Sequence, residues 1–171
     1  MRGVNRNKMA ILGITGGIGS GKDTFCDQAF AVKIGFADKL KEICHNITGH
    51  DYNLRETKDM EVLPGITGRK LLETIGAAMR SLNENFWVDI ALEKAKLYDN
   101  VVIPDTRYPN EVEAIRKLGG KIVRINRPGC QRTGHESDNW DKLDVDYEID
   151  NSGTLEEFHQ KIKECLDALL F

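Results

Sequence analysis

The sequence is poor in the features that mark secreted scaffolds, membrane proteins and basic nucleic-acid-binding domains. Its 171 residues include four cysteines and four histidines, none with the paired spacing of disulfide scaffolds or metal sites. No apolar run approaches the roughly 20 residues of a membrane span. The formal net charge of −3 argues against broad nucleic-acid binding. These absences predict a reduced, cytoplasmic protein that neither spans a membrane nor binds nucleic acid.

The amino terminus carries positive residues, but only a short apolar run follows them. Arg2, Arg6 and Lys8 precede the run that begins at Met9. Because this run is needed as the first strand of the fold, we expect no signal peptide. The length fits one domain spanning residues 1–171.

The segment from Met9 to Thr24 is the most informative part of the chain. An apolar run of strand character ends there in a glycine-rich turn that leads into a helix-like segment. The spacing fits the phosphate-binding pattern Gly-x4-Gly-Lys-[Ser/Thr] up to its last position. Glycines let successive backbone N–H groups point at one anion, and the lysine adds a mobile positive charge. The residues expected to bind nucleoside triphosphate are Gly16, Gly17, Gly19, Ser20, Gly21 and Lys22.

Asp23 stands where the pattern has a serine or threonine that contacts Mg²⁺. Thr24 comes one residue late, and one helical step turns a side chain by about 100°. A carboxylate is a suitable hard ligand for Mg²⁺, directly or through water. We therefore expect Asp23 to lie near the metal or the reacting phosphate.

Strand-like and helix-like segments alternate along the chain. Apolar runs predict strands at 32–36, 101–103, 122–125 and 147–149, in addition to the first. Helical periodicity predicts helices at 22–30, 39–47, 68–82, 85–97 and 109–118. The polar stretch 50–66 is long enough to carry a small helix at 55–62, and the alternative for its charged residues is a solvated surface run. Thr67 is expected to cap one helix, and Thr154 to Glu157 forms a capping box for the last. The predicted buried faces include Phe25, Phe30, Ile47, Leu71, Leu82, Ile90 and Leu97.

This alternation predicts an α/β fold with a parallel sheet covered on both faces. Ligands bind beyond the carboxyl ends of the strands in such sheets. Residues 16–23, 36–38 and 105–107 are therefore expected to lie together. The polar stretch 127–144 is interpreted as a mobile flap.

Three classes of phosphate-binding protein compete for this sequence. A GTP-dependent switch is disfavoured because Thr57-Lys58-Asp59 has its aspartate one position early for Thr-Lys-x-Asp. A motor or assembly ATPase usually has a longer chain. A small-molecule kinase must hold two phosphorylated substrates in line although their phosphates repel each other, and this requires several arginine and lysine side chains. The candidate cations are Arg69, Lys70, Arg80, Arg107, Arg124, Arg127 and Arg132, whereas Arg116 is assigned to a surface salt bridge.

Asp105 ends a predicted buried strand beside the phosphate loop. It could hold Mg²⁺ through water or orient Arg107. Glu111 could clamp Arg107 or reach the acceptor, and its alternative is compensation of the helix dipole in the first turn. Trp87 either packs in the core or stacks on a base.

Five motifs in order give the chain a family resemblance. They are Gly-Ser-Gly-Lys-Asp-Thr at 19–24, Phe-Ala-Asp-Lys-Leu-Lys at 36–41, Arg-Lys-Leu-Leu-Glu-Thr-Ile-Gly at 69–76, Asp-Thr-Arg-Tyr-Pro-Asn-Glu at 105–111 and Arg-Ile-Asn-Arg-Pro-Gly at 124–129. In this order they resemble the deoxynucleoside monophosphate kinases of bacteriophages. The stretch at 105–111 is the most specific of them.

The resemblance implies a P-loop NTPase fold, a three-layer α/β/α sandwich with about five strands. It also implies a helical acceptor-binding region at about 48–98 and a small lid at 127–144. The implied activity is ATP-dependent phosphorylation of deoxynucleoside monophosphates (dNMPs) with Mg²⁺, a phosphotransfer with a phosphate group as acceptor, in the host cytoplasm if the chain is phage-encoded. The catalytic residues would be Lys22, Asp23, Asp105, Arg107 and Arg127, with Asp23 and Asp105 as metal ligands.

The resemblance also assigns the substrate pockets. Asp23 and Thr24 would act at the ATP phosphates, and the stretch 151–154, with Asn151 and Gly153, would contact adenine. The acceptor residues would be Asp38, Arg69, Lys70, Glu73, Gly76, Trp87, Asp105, Arg107 and Glu111.

Two departures from the family pattern leave the accepted bases open. Glu73 stands where glutamine is frequent, and Ala77-Ala78 follow Gly76 where Thr-Glu is frequent. The alternative enzyme is a related small-molecule kinase, such as one for dephospho-coenzyme A or another nucleoside monophosphate. The alternative without catalysis is a nucleotide-binding switch. The oligomeric state stays open, with a homodimer among its alternatives.

Overall fold

The computed structural model describes residues 10–130 and 136–170. Its elements in chain order are β1 (Ala10–Thr15), α1 (Lys22–Gln28), β2 (Val32–Lys33), α2 (Asp38–Thr48), α3 (Arg55–Asp59), β3 (Glu61–Leu63), β4 (Ile66–Thr67), α4 (Gly68–Leu82), α5 (Phe86–Ala95), β5 (Asn100–Ile103), α6 (Pro109–Lys117), β6 (Lys121–Asn126), a 3-10 helix (Glu136–Lys142), β7 (Tyr147–Asp150) and α7 (Leu155–Leu170). They form two compact units. The helical unit spans Gly35–Glu93, and the sheet unit contains the described residues on either side of it.

The sheet unit contains five parallel strands in the order β2-β5-β1-β6-β7. β1 lies at the centre, where Ile11 pairs with Val101 of β5 and Ile14 pairs with Val123 of β6. β1 and β5 are almost continuously apolar because helices cover both of their faces, and β6 adds the buried Ile122, Val123 and Ile125. The predicted parallel α/β sheet of about five strands is confirmed.

Two layers of helices cover this sheet. On one face α1 and α7 pack on the sheet in an apolar cluster that includes Phe25, Val123, Phe158 and Ile162. On the other face α6 approaches β1 closely, since a Cβ on Gly13 would lie only 2.6 Å from Ile115 Cδ1. The result is a three-layer α/β/α arrangement.

The helical unit has its own core. Leu40, Tyr52, Leu71 and Trp87 are buried there together. The side chain of Thr67 accepts a hydrogen bond from the backbone N–H of Lys70 at 3.3 Å, which confirms the predicted cap of α4. The unit also takes in α2, so it begins before the acceptor-binding region predicted at 48–98.

Some predicted core residues are exposed. Phe30 was expected on the buried stripe of the first helix, but α1 ends at Gln28 and Phe30 is 96% exposed with φ 46°. Leu82 and Leu97 are 79% and 77% exposed, and both lie at or beyond the ends of their helices. Ile47, in the last turn of α2, is also exposed, and so is Ile90. The prediction of buried residues from apolar stripes is therefore wrong mainly at the ends of helices.

A β-hairpin replaces the end of the small helix predicted at 55–62. α3 stops at Asp59, and β3 pairs with β4 in antiparallel fashion. Pro64 and Gly65 form the turn, with Gly65 at φ 72°. Strand β2 is likewise shorter than the predicted 32–36 and ends at Lys33.

The predicted lid at 127–144 lies only partly among the described residues, because 131–135, and Arg132 with them, fall outside. The described part contains the 3-10 helix and the buried Leu143. The mobility predicted for this stretch stays a prediction. Within the described part of the chain no helix is long and apolar enough to cross a lipid bilayer.

Candidate phosphate-transfer site

The turn between β1 and α1 adopts backbone conformations that glycine favours. Gly19 and Gly21 have φ values of 78° and 108°. A Cβ on Gly21 would lie 2.8 Å from Asn151 Nδ2 and 2.8 Å from Phe158 Cε1, whereas a Cβ on Gly19 would meet nothing within 4 Å. The loop is therefore packed behind Gly21 and open at Gly19, as a loop that admits an anion requires.

Lys22 folds back over this loop. Its Nζ donates hydrogen bonds to the carbonyl oxygens of Gly16 and Gly17, both at 2.7 Å. Burial, and to a smaller extent the charge of Arg107, lowers the pKa of Lys22 to about 8, against the opposing effect of Asp23. An anion that binds beside this lysine stabilises its charged ammonium form.

Arg107 reaches this neighbourhood from the next strand of the sheet. β5 lies beside β1, so the turn after β5 lies beside the phosphate loop. The backbone N–H of Thr106 donates to the carbonyl of Ile14 at 3.2 Å, and Thr106 is 1% exposed. The predicted meeting of residues 16–23 with 105–107 is confirmed within the sheet unit. The third segment, 36–38, belongs to the helical unit, where Asp38 Oδ2 accepts the backbone N–H of Gly35 at 2.8 Å.

Glu111 fixes the turn that presents Arg107. Its Oε2 accepts the backbone N–H groups of Arg107 at 2.6 Å and Tyr108 at 3.0 Å. Glu111 is only 5% exposed. Glu111 therefore holds the backbone of Arg107 and also caps the first turn of α6 through Tyr108, so the geometry fits both alternatives. Contact with the acceptor stays a prediction.

Asp23 is ion-paired with Lys33, with 2.8 Å between Asp23 Oδ1 and Lys33 Nζ. The Asp23 side chain is 86% exposed. In the described ranges, no group of three or more histidine, cysteine, aspartate and glutamate residues could hold a metal ion. Carboxylate oxygens such as those of Asp23 and Asp105 suit Mg²⁺, which typically combines one or two carboxylates with phosphate oxygens. These residues fit Mg²⁺ only together with a bound nucleotide.

Two residues from the carboxyl ends of β6 and β7 bind the loop carbonyls. Arg127 Nη1 donates to Gly19 O at 3.1 Å. Asn151 Nδ2 donates to Ser20 O at 2.8 Å in a buried contact. The structure thus brings together Arg127 and Asn151 with the phosphate loop, and the predicted contact of Asn151 with adenine stays a prediction.

The acceptor candidates of the helical unit lie mainly on α4. Arg69 pairs with Asp59 at 2.8 Å, and Lys70 is exposed one residue later. Trp87 is 4% exposed and its Nε1 donates to Gly76 O at 3.1 Å. This position favours the packing role of Trp87. Base stacking by Trp87 and the roles of Lys70 and Glu73 stay predictions.

Sequence reasoning missed two neighbours of the loop. A Cβ on Gly17 would lie 2.6 Å from Cys130 Cβ and 3.2 Å from Trp140 Cζ2. Neither residue belongs to a recognisable motif, and both are more than 100 positions away in the chain. Lys33, the partner of Asp23, also belongs to no recognisable motif, although it lies only ten positions along the chain.

Known proteins share both the sequence pattern and the fold. The family model described as deoxynucleotide monophosphate kinase matches residues 38–162. A putative deoxynucleotide monophosphate kinase of Acanthamoeba polyphaga mimivirus is 30% identical over 93% of this chain and 97% of its own length. The deoxynucleotide monophosphate kinase of Enterobacteria phage T4 is 31% identical over 59% of this chain and 46% of its own.

The structural comparison agrees with the observed layers. The structure of a Cys556Ala mutant of the APS kinase CysC of Mycobacterium tuberculosis has a TM-score of 0.52 at 14% identity, covering 96% of this chain and 99% of that chain. This likeness concerns the fold alone. The sequence comparisons, together with the ordered motifs and the loop geometry, identify the chain as a member of the deoxynucleotide monophosphate kinase family.

Proposed function

We propose that this protein transfers the terminal phosphate of ATP to a deoxynucleoside monophosphate, giving ADP and a deoxynucleoside diphosphate. One observation supports this most strongly. Lys22 lies over a glycine loop that is open at Gly19, and the turn that carries Arg107 follows the strand next to β1. Two cations at neighbouring strand ends, beside an open glycine loop, favour an anionic ligand.

The loop and Lys22 would bind the donor phosphates. Backbone N–H groups around Gly19 would cradle the anion, and Lys22 would exchange its two carbonyl partners for phosphate oxygens. Asp23 and Thr24 would act at the same phosphates.

Arg107 would hold the acceptor phosphate. Its turn is fixed by Glu111, so the guanidinium is presented with little freedom of the backbone. Fixed geometry matters because phosphoryl transfer depends mainly on positioning and charge stabilisation. Arg127 would add positive charge at the loop.

Asp23 and Asp105 would hold Mg²⁺ through one or two ligands, directly or through water. When bound, the metal would neutralise charge on the transferred phosphate. For the acceptor nucleoside, the family resemblance assigns Asp38, Arg69, Lys70, Glu73, Gly76 and Trp87 of the helical unit. We further propose a cytosolic reaction, since all four cysteines are free thiols.

The test is ADP formation from Mg-ATP with each dNMP, each ribonucleoside monophosphate and dephospho-coenzyme A in turn. Formation that depends on a dNMP supports the proposal. ADP formation with dephospho-coenzyme A alone would show instead that the protein is the related small-molecule kinase. Tight GTP binding with slow hydrolysis would indicate a nucleotide-dependent switch.

Lys22→Met provides the control. It removes the ammonium group while keeping a long side chain, so we expect transfer to be lost and the far-UV circular dichroism spectrum to be kept. Transfer at near the wild-type rate would contradict the assignment of the phosphate loop.

A further inference from the structure

Side chains bind the carbonyl oxygens along most of the phosphate loop. Lys22 donates hydrogen bonds to the carbonyl oxygens of Gly16 and Gly17. Arg127 donates to the carbonyl of Gly19, and Asn151 donates to the carbonyl of Ser20. In a trans peptide the C=O of one residue and the N–H of the next point in opposite directions. Holding the Ser20 carbonyl therefore also fixes the direction of the Gly21 N–H, which points away from Asn151.

Asn151 is held both by its backbone and by its side chain. Its backbone N–H donates to Asn126 O at 2.7 Å, so the residue is tied to the end of β6. It is 9% exposed, and the Ser20 carbonyl that it binds belongs to a residue with no exposed surface. Turning the amide toward a nucleotide base would break this hydrogen bond and leave the buried carbonyl without it, a change that costs free energy.

The neighbouring Gly153 lies against the side chain of Glu157. A Cβ there would overlap the carboxylate of Glu157. That carboxylate accepts the backbone N–H of Thr154 at 2.7 Å, while Thr154 Oγ1 accepts the backbone N–H of Glu157 at 3.2 Å. Of the two residues that the family resemblance places at the adenine, Asn151 thus binds the phosphate loop and Gly153 lies against the capping box of α7.

We infer that Asn151 is a positioning residue that fixes the Ser20–Gly21 peptide, and through it the N–H that binds the donor phosphate, without reading the donor base. The inference rests on the proposed function, because it assumes that donor phosphates bind at this loop. Loss of the Asn151 amide weakens every donor by the same factor, whatever its base.

The test compares Asn151→Leu with Gln160→Leu. Leucine has nearly the size of asparagine but no N–H donor. Gln160 is an exposed amide on α7 that donates only to Glu164 among the bonds described, so its replacement removes the same kind of donor from the surface. Dissociation constants are measured by calorimetry for ATP, GTP and inorganic tripolyphosphate. Asn151→Leu is expected to weaken all three by the same factor, about three- to tenfold, the usual effect of one hydrogen bond. Gln160→Leu is expected to leave all three unchanged.

Two further readouts separate positioning from simple loss of stability. In the nucleotide-free protein, the amide NMR resonance of Gly21 is expected to shift in Asn151→Leu and to stay in place in Gln160→Leu. The KM for ATP is expected to rise more than the KM for the acceptor. Asn151→Ala, which leaves space rather than a clash, carries the same expectations if the leucine variant does not fold.

Each contrary result has a distinct meaning. A changed ratio of ATP to GTP affinity with unchanged tripolyphosphate affinity would show that Asn151 reads the base, and would overturn the inference. An unmoved Gly21 resonance would do the same. Failure of the wild-type protein to bind any of the three ligands would instead overturn the proposed function on which the inference rests.

Discussion

Glu111 accepts the backbone N–H of Arg107 at 2.6 Å, so a buried carboxylate determines the turn from which this arginine projects. The same oxygen accepts the N–H of Tyr108 at the start of α6. One side chain therefore couples the beginning of a helix to the position of a candidate catalytic cation. This coupling can be separated experimentally from direct contact with a substrate.

Replacing Glu111 tests its role as a clamp. Glu111→Ala leaves two partly buried N–H groups without this acceptor, at a cost of about 1–3 kcal/mol. For a chain of this size we expect the Tm to fall by roughly 3–10 °C. Glu111→Gln keeps a carbonyl acceptor and should retain most of the stability and activity. Calorimetry and acceptor KM values check both variants, and loss of acceptor binding in a fully stable Glu111→Gln would indicate contact with the substrate instead.

Arg107→Ala should raise the acceptor KM far more than the dissociation constant of ATP. The reason is that Arg107 follows β5, whereas the phosphate loop follows β1. The matched control is Arg116→Ala, which removes the same charge from an arginine that pairs with Asp144 at 2.6 Å on the surface. The control should change neither constant. Equal losses of ATP and acceptor affinity in Arg107→Ala would show that the two pockets are wrongly placed.

The lowered pKa of Lys22 predicts that donor binding takes up a proton in alkaline solution. Phosphate charges favour the ammonium form and so raise the pKa of Lys22 above its value of about 8 in the free protein. Below pH 8 the lysine is already protonated, so binding needs no proton there. Above pH 8 the bound form holds more protons than the free form, and tripolyphosphate affinity therefore falls as pH rises.

Calorimetry in buffers of different ionisation enthalpy measures this uptake directly. We expect little uptake at pH 7 and up to about one proton per site above pH 8, as single-site linkage requires. Lys22→Arg supplies the control, because an arginine stays protonated throughout this range. Equal uptake in the wild-type and arginine proteins would exclude Lys22 as its source.

Alanine substitutions at Gly21 and Gly19 test the packing behind the phosphate loop, because only Gly21 has close neighbours. An alanine at either position is strained by its positive φ, at a cost of about 1 kcal/mol or more. At Gly21 the new methyl group would also press on Phe158 and Asn151, whereas at Gly19 it would enter open space. We expect Gly21→Ala to lower the Tm by roughly 5–15 °C and Gly19→Ala by about 2–4 °C. Similar Tm values for the two variants would contradict the described packing.

Features that depend on neighbouring residues were predictable from the sequence. The cap at Thr67 and the capping box of Thr154 and Glu157 are present as expected, since their geometry follows from spacing within one turn. The parallel sheet followed from apolar runs that alternate with helical stripes. The phosphate loop followed from glycine spacing.

Features that depend on distant contacts were not predictable in this way. Phe30 continues the apolar stripe of α1, yet the helix ends before it, and no glycine or proline marks that end. The hairpin of β3 and β4 is too short for its alternation to stand out, although Pro64-Gly65 could have signalled its turn. The bond from Asn151 to Ser20 joins residues 131 positions apart, and no local pattern encodes it.

The central place of β1 affects how the protein is completed during synthesis. β1 is made first, but its partners β5 and β6 emerge from the ribosome only after residues 100 and 121. Arg127 and Asn151, which hold the loop carbonyls, are translated later still. A nascent chain therefore carries the whole nucleotide motif long before the motif acquires its shape, and we expect a ligand of this loop to stabilise the nearly finished chain rather than its early intermediates.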